Sequence, residues 1–192
     1  GGDQELSGAG TVLSAATTYR NDDMGNRVRP TDGGSLTIGS GITVRGDEIV
    51  IGEAGHVLVN RGTIMADGTG DYRTIHVRGS TVTNEGTMEA SKGAMTAAGG
   101  TLRVENVTNL AGGLLESAGS GSELRLYGDW TNEGTLASTD GLVELGGTFT
   151  VADIGEFDRT GGVVEITGSL YDAFLAPSER IGFSGMDTDS AD

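Results

Sequence analysis

An asparagine–glycine motif recurs four times along the chain at an almost constant interval. It reads Asn-x-Gly at Asn60, Asn84 and Asn132, and it carries one extra residue at Asn109. The asparagines lie 24, 25 and 23 residues apart, a period typical of solenoids, in which each repeat contacts only its neighbours. This repeat constrains the fold more than any other feature of the sequence.

Stacked coils place each of these asparagines on the next one. Neighbouring strands lie about 4.8 Å apart, so the motif predicts a ladder of asparagine side chains that hydrogen-bond one another at a buried corner. The glycine of each motif is expected to supply a positive φ or a close approach of two backbones. These glycines are Gly62, Gly86, Gly112 and Gly134.

Short runs with an apolar period of two lie between the turn residues. Such alternation predicts β-strands, and no segment shows a convincing helical period. Two or three runs fall in each interval of about 24 residues, which predicts one turn of a three-sided coil. The runs lie at 35–38, 42–44, 48–51, 57–59, 74–77, 101–104, 123–126, 142–145 and 163–166.

The sequence therefore predicts an all-β fold, a right-handed parallel β-helix (solenoid) of about six or seven coils. We expect an N-terminal coil or cap region over 1–33, the β-helix coils over 34–170, and a C-terminal cap with an acidic tail over 171–192. The last coil is offset, and we align its Arg159 with the asparagine position. The coils are placed at 34–56, 57–80, 81–106, 107–129, 130–156 and 157–170.

The C-terminal segment contains apolar residues suited to closing the open end of a solenoid. Unpaired strand edges and an open core invite stacking with another chain, so natural solenoids cover them. We expect residues 171–185 to cover the last coil, and their deletion to cause end-to-end association. The covering residues would be Phe174, Leu175, Ile181 and Phe183.

The charge of the chain excludes several classes of partner. The net charge is −16, and Lys92 is the single lysine among twelve basic residues. A surface this acidic repels the phosphates of nucleic acids and of anionic membranes. No apolar stretch approaches the length of a membrane span, so membrane insertion is not expected. The absence of cysteine excludes disulfides, zinc–thiolate sites and thiol catalysis.

Several repeat units resemble those of a known class of bacterial proteins. The units VLVNRGTIMADG, VTNEGTMEAS, LRLYGDWTNEGTLASTDGLVELGGTFT and FDRTGGVVEITGSL look like the right-handed parallel β-helix modules of filamentous-haemagglutinin and autotransporter-passenger proteins. The resemblance covers about residues 34–170. It implies an extracellular stalk or adhesin on the bacterial cell surface.

An enzymatic alternative follows from the same fold, because parallel β-helices include polysaccharide lyases and glycosidases. A glycosidase needs two carboxylates about 5–10 Å apart, and a lyase needs a basic group beside acids. Arg103 and Arg125 fall in corresponding strands of adjacent coils, where they could form a basic spot. The candidate acids are Asp140 with Glu144, and Asp153 with Glu156 and Asp158.

Metal binding is the remaining chemical hypothesis. Two acidic segments supply closely spaced oxygen ligands of the kind that calcium prefers. Neither segment matches the EF-hand loop or the glycine-rich nonapeptide repeat, so a solvated acidic loop is the alternative. His56 and His76 lie near a coil repeat, but no third ligand recurs with them. The candidate calcium ligands are Asp67, Asp71, Asp187, Asp189 and Asp192.

These observations favour a non-catalytic structural or adhesive module of a bacterial extracellular protein, with no catalytic residue and no firm cofactor. The alternatives are a polysaccharide-degrading enzyme and a pure binding module for a glycan or protein. The chain starts without an initiator methionine, so we expect neighbouring domains of a larger chain as partners. Host or environmental glycans and surface proteins are further candidate partners.

Overall fold

The computed structural model describes residues 2–15, 26–31, 33–68, 73–93 and 99–171 of the chain. Almost all regular structure within these residues is β-strand, arranged as successive three-strand coils. In coils one to three the strands are β1 (Gln4–Leu6), β2 (Ala9–Ser14), β3 (Asn26–Val28), β4 (Leu36–Ile38), β5 (Gly41–Gly46), β6 (Ile49–Ile51), β7 (Val57–Asn60), β8 (Thr63–Ala66) and β9 (Thr74–Val77).

The later coils continue the same order. Coils four to six contain β10 (Thr81–Asn84), β11 (Thr87–Ser91), β12 (Thr101–Glu105), β13 (Val107–Asn109), β14 (Leu114–Ala118), β15 (Glu123–Tyr127), β16 (Thr131–Asn132), β17 (Thr135–Thr139) and β18 (Leu142–Leu145). The C-terminal part contains β19 (Thr148–Phe149), α1 (Val151–Ile154), β20 (Glu156–Thr160), β21 (Val163–Ile166) and β22 (Ser169–Leu170).

The three strands of each coil belong to three different sheets. Sheet A runs from β1 through every third strand to β16, sheet B from β2 to β20, and sheet C from β3 to β21. Neighbouring strands in each sheet are one coil apart in sequence and pair in parallel. The predicted parallel β-solenoid is thereby confirmed, with about six turns.

Residues 2–31 contribute a coil of their own, as far as they are described. Strands β1, β2 and β3 pair in parallel with the corresponding strands of the second coil. At the other end, β20 and β21 continue sheets B and C. The predicted cap residues Phe174, Leu175, Ile181 and Phe183 lie outside the described residues, so the capping hypothesis stays a prediction.

The core is a column of inward-facing side chains, a few from each coil. The alternation predicted from the sequence places Leu102 on Leu124, and Ile64 on Met88, in consecutive coils. These side chains are fully buried, and burial of each contributes about 2–3 kcal/mol to folding. Other fully buried members of the column are Ile38, Ile51, Leu58, Ile75, Leu115, Leu126 and Leu136.

The repeated asparagines form the predicted ladder at the corner between sheets A and B. Nδ2 of Asn60 donates to Oδ1 of Asn84 at 2.8 Å, and the same bond joins Asn84 to Asn109 and Asn109 to Asn132 at 2.7 Å. The ladder starts at Asn60 because Ile38 occupies its position in the preceding coil. Oδ1 of Asn60 is therefore buried without a hydrogen-bond partner.

The motif glycines perform two different structural tasks. A Cβ at Gly62, Gly86 or Gly134 would overlap a carbonyl oxygen of the preceding coil, so these positions require a close backbone approach. In the motif that begins at Asn109 and has one extra residue, the positive φ and the close backbone approach belong to two different glycines. Gly112 adopts a φ of 89° in open space, while Gly113 makes the close approach.

A short helix ends the ladder and corrects one alignment made from the sequence. Arg159 lies in β20 and pairs with Ser138 in sheet B, so it does not occupy the asparagine position. The carbonyls of Ile154 and Glu156 instead accept the last Nδ2–H bonds, both from Asn132. The error arose because α1 replaces a sheet A strand and breaks the period.

Candidate functional site

The outer face of sheet C carries a connected network of polar side chains. Inward positions of β12, β15 and β18 are taken by Leu or Val, so the alternate residues face outward. The register stacks Arg103 on Arg125, as the aligned runs predicted, and then Arg125 on Glu144. We define the sheet C face as these outward side chains together with those of β3, β6, β9 and β21 and of the residues just after the strands.

One part of the network joins the third, fourth and fifth coils. Nε2 of His76 lies 2.8 Å from Oε1 of Glu105, one coil further along. Nε of Arg103 lies 3.7 Å from the same carboxylate. The guanidinium of Arg103 also stacks over the ring of Tyr127, with Cζ 4.1 Å from the centroid. This cation–π contact contributes about 0.5–1 kcal/mol at a partly exposed site.

A second part extends the network toward the C-terminal coils. Oε1 of Glu144 accepts hydrogen bonds from the hydroxyls of Tyr127 and Thr167, each at 2.8 Å. Its other oxygen lies 3.4 Å from Nε of Arg125, and Arg125 donates to Glu123 at 3.0 Å. Glu144 is thus a nearly buried carboxylate held by three neighbours.

Burial shifts the protonation equilibria of two members of this network. It lowers the pKa of His76 below the ordinary value of 6.5, although the hydrogen bond to Glu105 acts in the opposite direction. Burial also raises the pKa of Tyr127, and its hydrogen bond to Glu144 adds to that shift. Tyr127 therefore keeps its proton at neutral pH, which is the opposite of what a general base requires.

The candidate acids of the enzymatic alternative are distributed over helix α1, sheets B and C and one turn. Asp153 forms a capping box with Thr150, whose backbone N–H and hydroxyl both donate to its carboxylate at 2.7 Å. Glu156 and Asp158 lie on β20 in sheet B, whereas Glu144 lies on sheet C. Asp140 sits in the turn between these sheets, with a φ of 58°.

Comparison of the chain with protein-family models, with curated protein sequences and with solved structures gives no significant match. No helix within the described residues is long and apolar enough to cross a membrane.

The two histidines lie in different parts of the coil, with His56 just before β7 and His76 within β9. Nδ1 of His56 lies 3.1 Å from the carbonyl oxygen of Gly34, beside sheet A, and His76 faces outward from sheet C. Each ring therefore has its own partner, and the structure does not bring the two rings together. Across the described ranges, no group of three or more His, Asp or Glu residues is arranged to hold a metal ion.

The predicted calcium ligands are only partly described. Asp67 is buried and forms an ion pair with Arg45 of the preceding coil. Any cation at this carboxylate would compete with that guanidinium. The other four candidates lie outside the described residues, so calcium binding stays a prediction. They are Asp71, Asp187, Asp189 and Asp192.

Sequence reasoning identified the two stacked arginines but missed their partners. Glu105 and Tyr127 follow Arg103 and Arg125 by two residues, so the period of two places each pair on one face. That signal was present in the aligned runs. Thr167 carried no comparable signal, because its contact with Glu144 depends on where the seventh coil lies.

Proposed function

We propose that this chain is a non-catalytic structural or adhesive module of a bacterial extracellular or surface protein, of the filamentous-haemagglutinin or autotransporter-passenger type. One observation carries the proposal. The polar residues that an enzyme would use on the sheet C face are engaged in contacts between successive coils. The fold alone would not decide between a stalk and an enzyme.

The same use of charged residues recurs along the solenoid, both on the sheet C face and outside it. Three further ion pairs each join one coil to the next. Each of these charges is already compensated by a residue of the neighbouring coil, whereas a catalytic group must interact with the transition state of the substrate. The pairs are Arg29–Glu53, Arg45–Asp67 and Arg61–Glu85.

A role as a stalk or adhesin shaft would account for a chain built from repeated coils. A solenoid grows by adding coils, and its stability is close to a sum of coil and interface terms, so length can be extended without redesigning a core. That property suits a stalk or an adhesin shaft. The large acidic excess would keep such a surface soluble and separated from anionic membranes.

A polysaccharide panel tests the proposal. The protein is incubated with acidic and neutral polysaccharides, and unsaturated and reducing ends are measured over time. We expect no turnover; saturable binding without turnover would support an adhesive role. Turnover that is abolished by Arg103→Ala but retained in Arg61→Ala would contradict the proposal, because only Arg103 belongs to the sheet C network.

A further inference from the structure

The sheet C face differs in charge from the rest of the molecule. Its charged side chains, counted on the strands and on the two residues after each strand, are five arginines, five glutamates and one aspartate, a net charge of −1. The described residues as a whole include 10 basic and 19 acidic ones, a net charge of −9 (10 − 19), so −8 of that charge lies outside this face. The eleven residues are Arg27, Arg29, Arg78, Arg103, Arg125, Glu53, Glu105, Glu123, Asp129, Glu144 and Glu165.

The charges on this face are also sorted along the solenoid axis. Coils one to three carry three of the arginines and one glutamate, a net charge of +2. The later coils carry two arginines, four glutamates and Asp129, a net charge of −3. The ion pairs within each half, such as Arg29 with Glu53 at 3.0 Å, leave these net charges unchanged. The face therefore has a positive N-terminal half and a negative C-terminal half.

We infer that the sheet C face binds the same face of a second copy of this chain, with the two solenoid axes antiparallel. A two-fold axis through the middle strand, β12, places the positive half of each copy on the negative half of the other. Such an isologous contact is self-complementary and closes at two subunits. Among the described residues, those outside this face have a clear acidic excess, and like charges would oppose the pairing of those surfaces.

The geometry places particular residues opposite each other. The first strand of the sheet, β3, then faces the last, β21, so Arg27 and Arg29 of one copy meet Glu165 of the other. Glu165 is exposed, and the side chain of Arg29 is 54% exposed. Near Glu165, the outward side chain of Val163 is 60% exposed, and the second copy would remove part of that apolar surface from water.

The size of the face sets the expected strength of the dimer. Seven strands of three to five residues, about 4.8 Å apart and about 13 Å long on average, give roughly 450 Å² per copy, or about 900 Å² in total. Interfaces below about 1,200 Å² belong to weak or transient complexes.

The salt concentration should affect this dimer in two opposite ways. At 0.15 M salt the Debye length of about 8 Å screens the repulsion between the two acidic chains but leaves the direct ion pairs across the interface largely intact. Association should therefore be strongest near 0.15 M salt and should fall near 1 M, where the direct pairs are screened as well.

Sedimentation equilibrium of single charge reversals tests the inference. Arg29→Glu and Glu165→Arg should each weaken dimerisation about tenfold, because each change affects two pairs per dimer. The chain that carries both changes should dimerise like the wild type, since each introduced charge again faces an opposite one. Circular dichroism and thermal melting check that every variant is folded.

Matched controls separate the face from the net charge. Arg61→Glu and Glu133→Arg make the same changes in charge at the A–B corner, where both side chains are exposed, and should leave dimerisation within about twofold. A wild-type chain that stays monomeric at about 500 µM and 0.15 M salt would overturn the inference. Single reversals that behave like the controls, or a double variant that stays monomeric, would also overturn it.

Discussion

At the scale of single residues, the ladder asparagines satisfy a corner that would otherwise bury unpaired groups. Nδ2 of Asn84 donates to Oδ1 of Asn109 and to the carbonyl oxygen of Leu114, and Oδ1 accepts from Asn60. The side chain is fully buried. A buried polar group that loses its partner costs about 1–3 kcal/mol. Removing one asparagine therefore destabilises the fold by more than one lost hydrogen bond, because it also leaves groups of its two neighbours in the ladder without partners.

Replacing Asn84 by Ala should reduce the free energy of unfolding by about 3 kcal/mol, because the neighbouring rungs lose an acceptor and a donor. Urea denaturation followed by circular dichroism measures the loss. Glu85→Ala is the matched control on the same corner. Its exposed pair with Arg61 predicts a change within about 0.5 kcal/mol. Equal effects of the two variants would show that the ladder is not a stabilising element.

His76 makes stability depend on pH in a defined direction. Its folded-state pKa lies below the ordinary value of 6.5, so the unfolded chain binds the proton more readily. Stability should therefore fall as the pH drops below about 6.5, and this loss is complete below the folded-state pKa. Titration of the imidazole by NMR should give a midpoint below 6.5. In Glu105→Gln the midpoint should fall further, because the carboxylate raises this pKa; a midpoint above 6.5 in the wild type would contradict the assignment.

At the scale of the elements, the corners depend on how closely two coils approach. A Cβ at Gly86 would overlap the carbonyl oxygen of Gly62 in the coil before it. Gly86→Ala should therefore destabilise the fold by about 2–3 kcal/mol through forced separation of the two coils. Gly10→Ala is the control, since Gly10 lies in strand β2 with nothing within 4 Å of the added Cβ. Thermal and urea unfolding of that variant should match or slightly exceed the wild type.

The sequence predicted most of the elements because the repeat enforces like-on-like stacking. The Asn60 to Asn132 series and the Arg103–Arg125 pair follow from alternation and a fixed period alone. Helix α1 did not follow, since four residues are too few to show a helical period. Its one local signal was Thr150 with Asp153 three residues later, the spacing of a capping box.

The alignment error at the last coil has a similar physical cause. Aligning Arg159 with Asn132 also places Phe157 at the position of Trp130, but Trp130 packs on Phe149, with ring centroids 4.7 Å apart. Phe157 stacks on Leu136 instead. A period read from sequence cannot show that one coil has exchanged a strand for a helix. The contact of Thr167 with Glu144 was missed because it depends on where the seventh coil lies.

At the scale of the whole molecule, the repeated polar residues hold successive coils together. In a solenoid each coil is stabilised by its interfaces with the two neighbouring coils. Because the ladder crosses several successive interfaces, it should protect the interior coils together rather than one site alone. The sheet C network performs the same task on the outer surface, where it links the third to the seventh coil.

Hydrogen exchange of the asparagine side chains, followed by NMR, tests this arrangement most directly. We predict that the Nδ2 protons of Asn60, Asn84 and Asn109 exchange far more slowly than those of an asparagine in a short peptide, and that each shows nuclear Overhauser effects to the asparagine of the next coil. Side-chain amides that exchange at the peptide rate, with no cross-peaks between residues about 24 positions apart, would contradict the stacked solenoid.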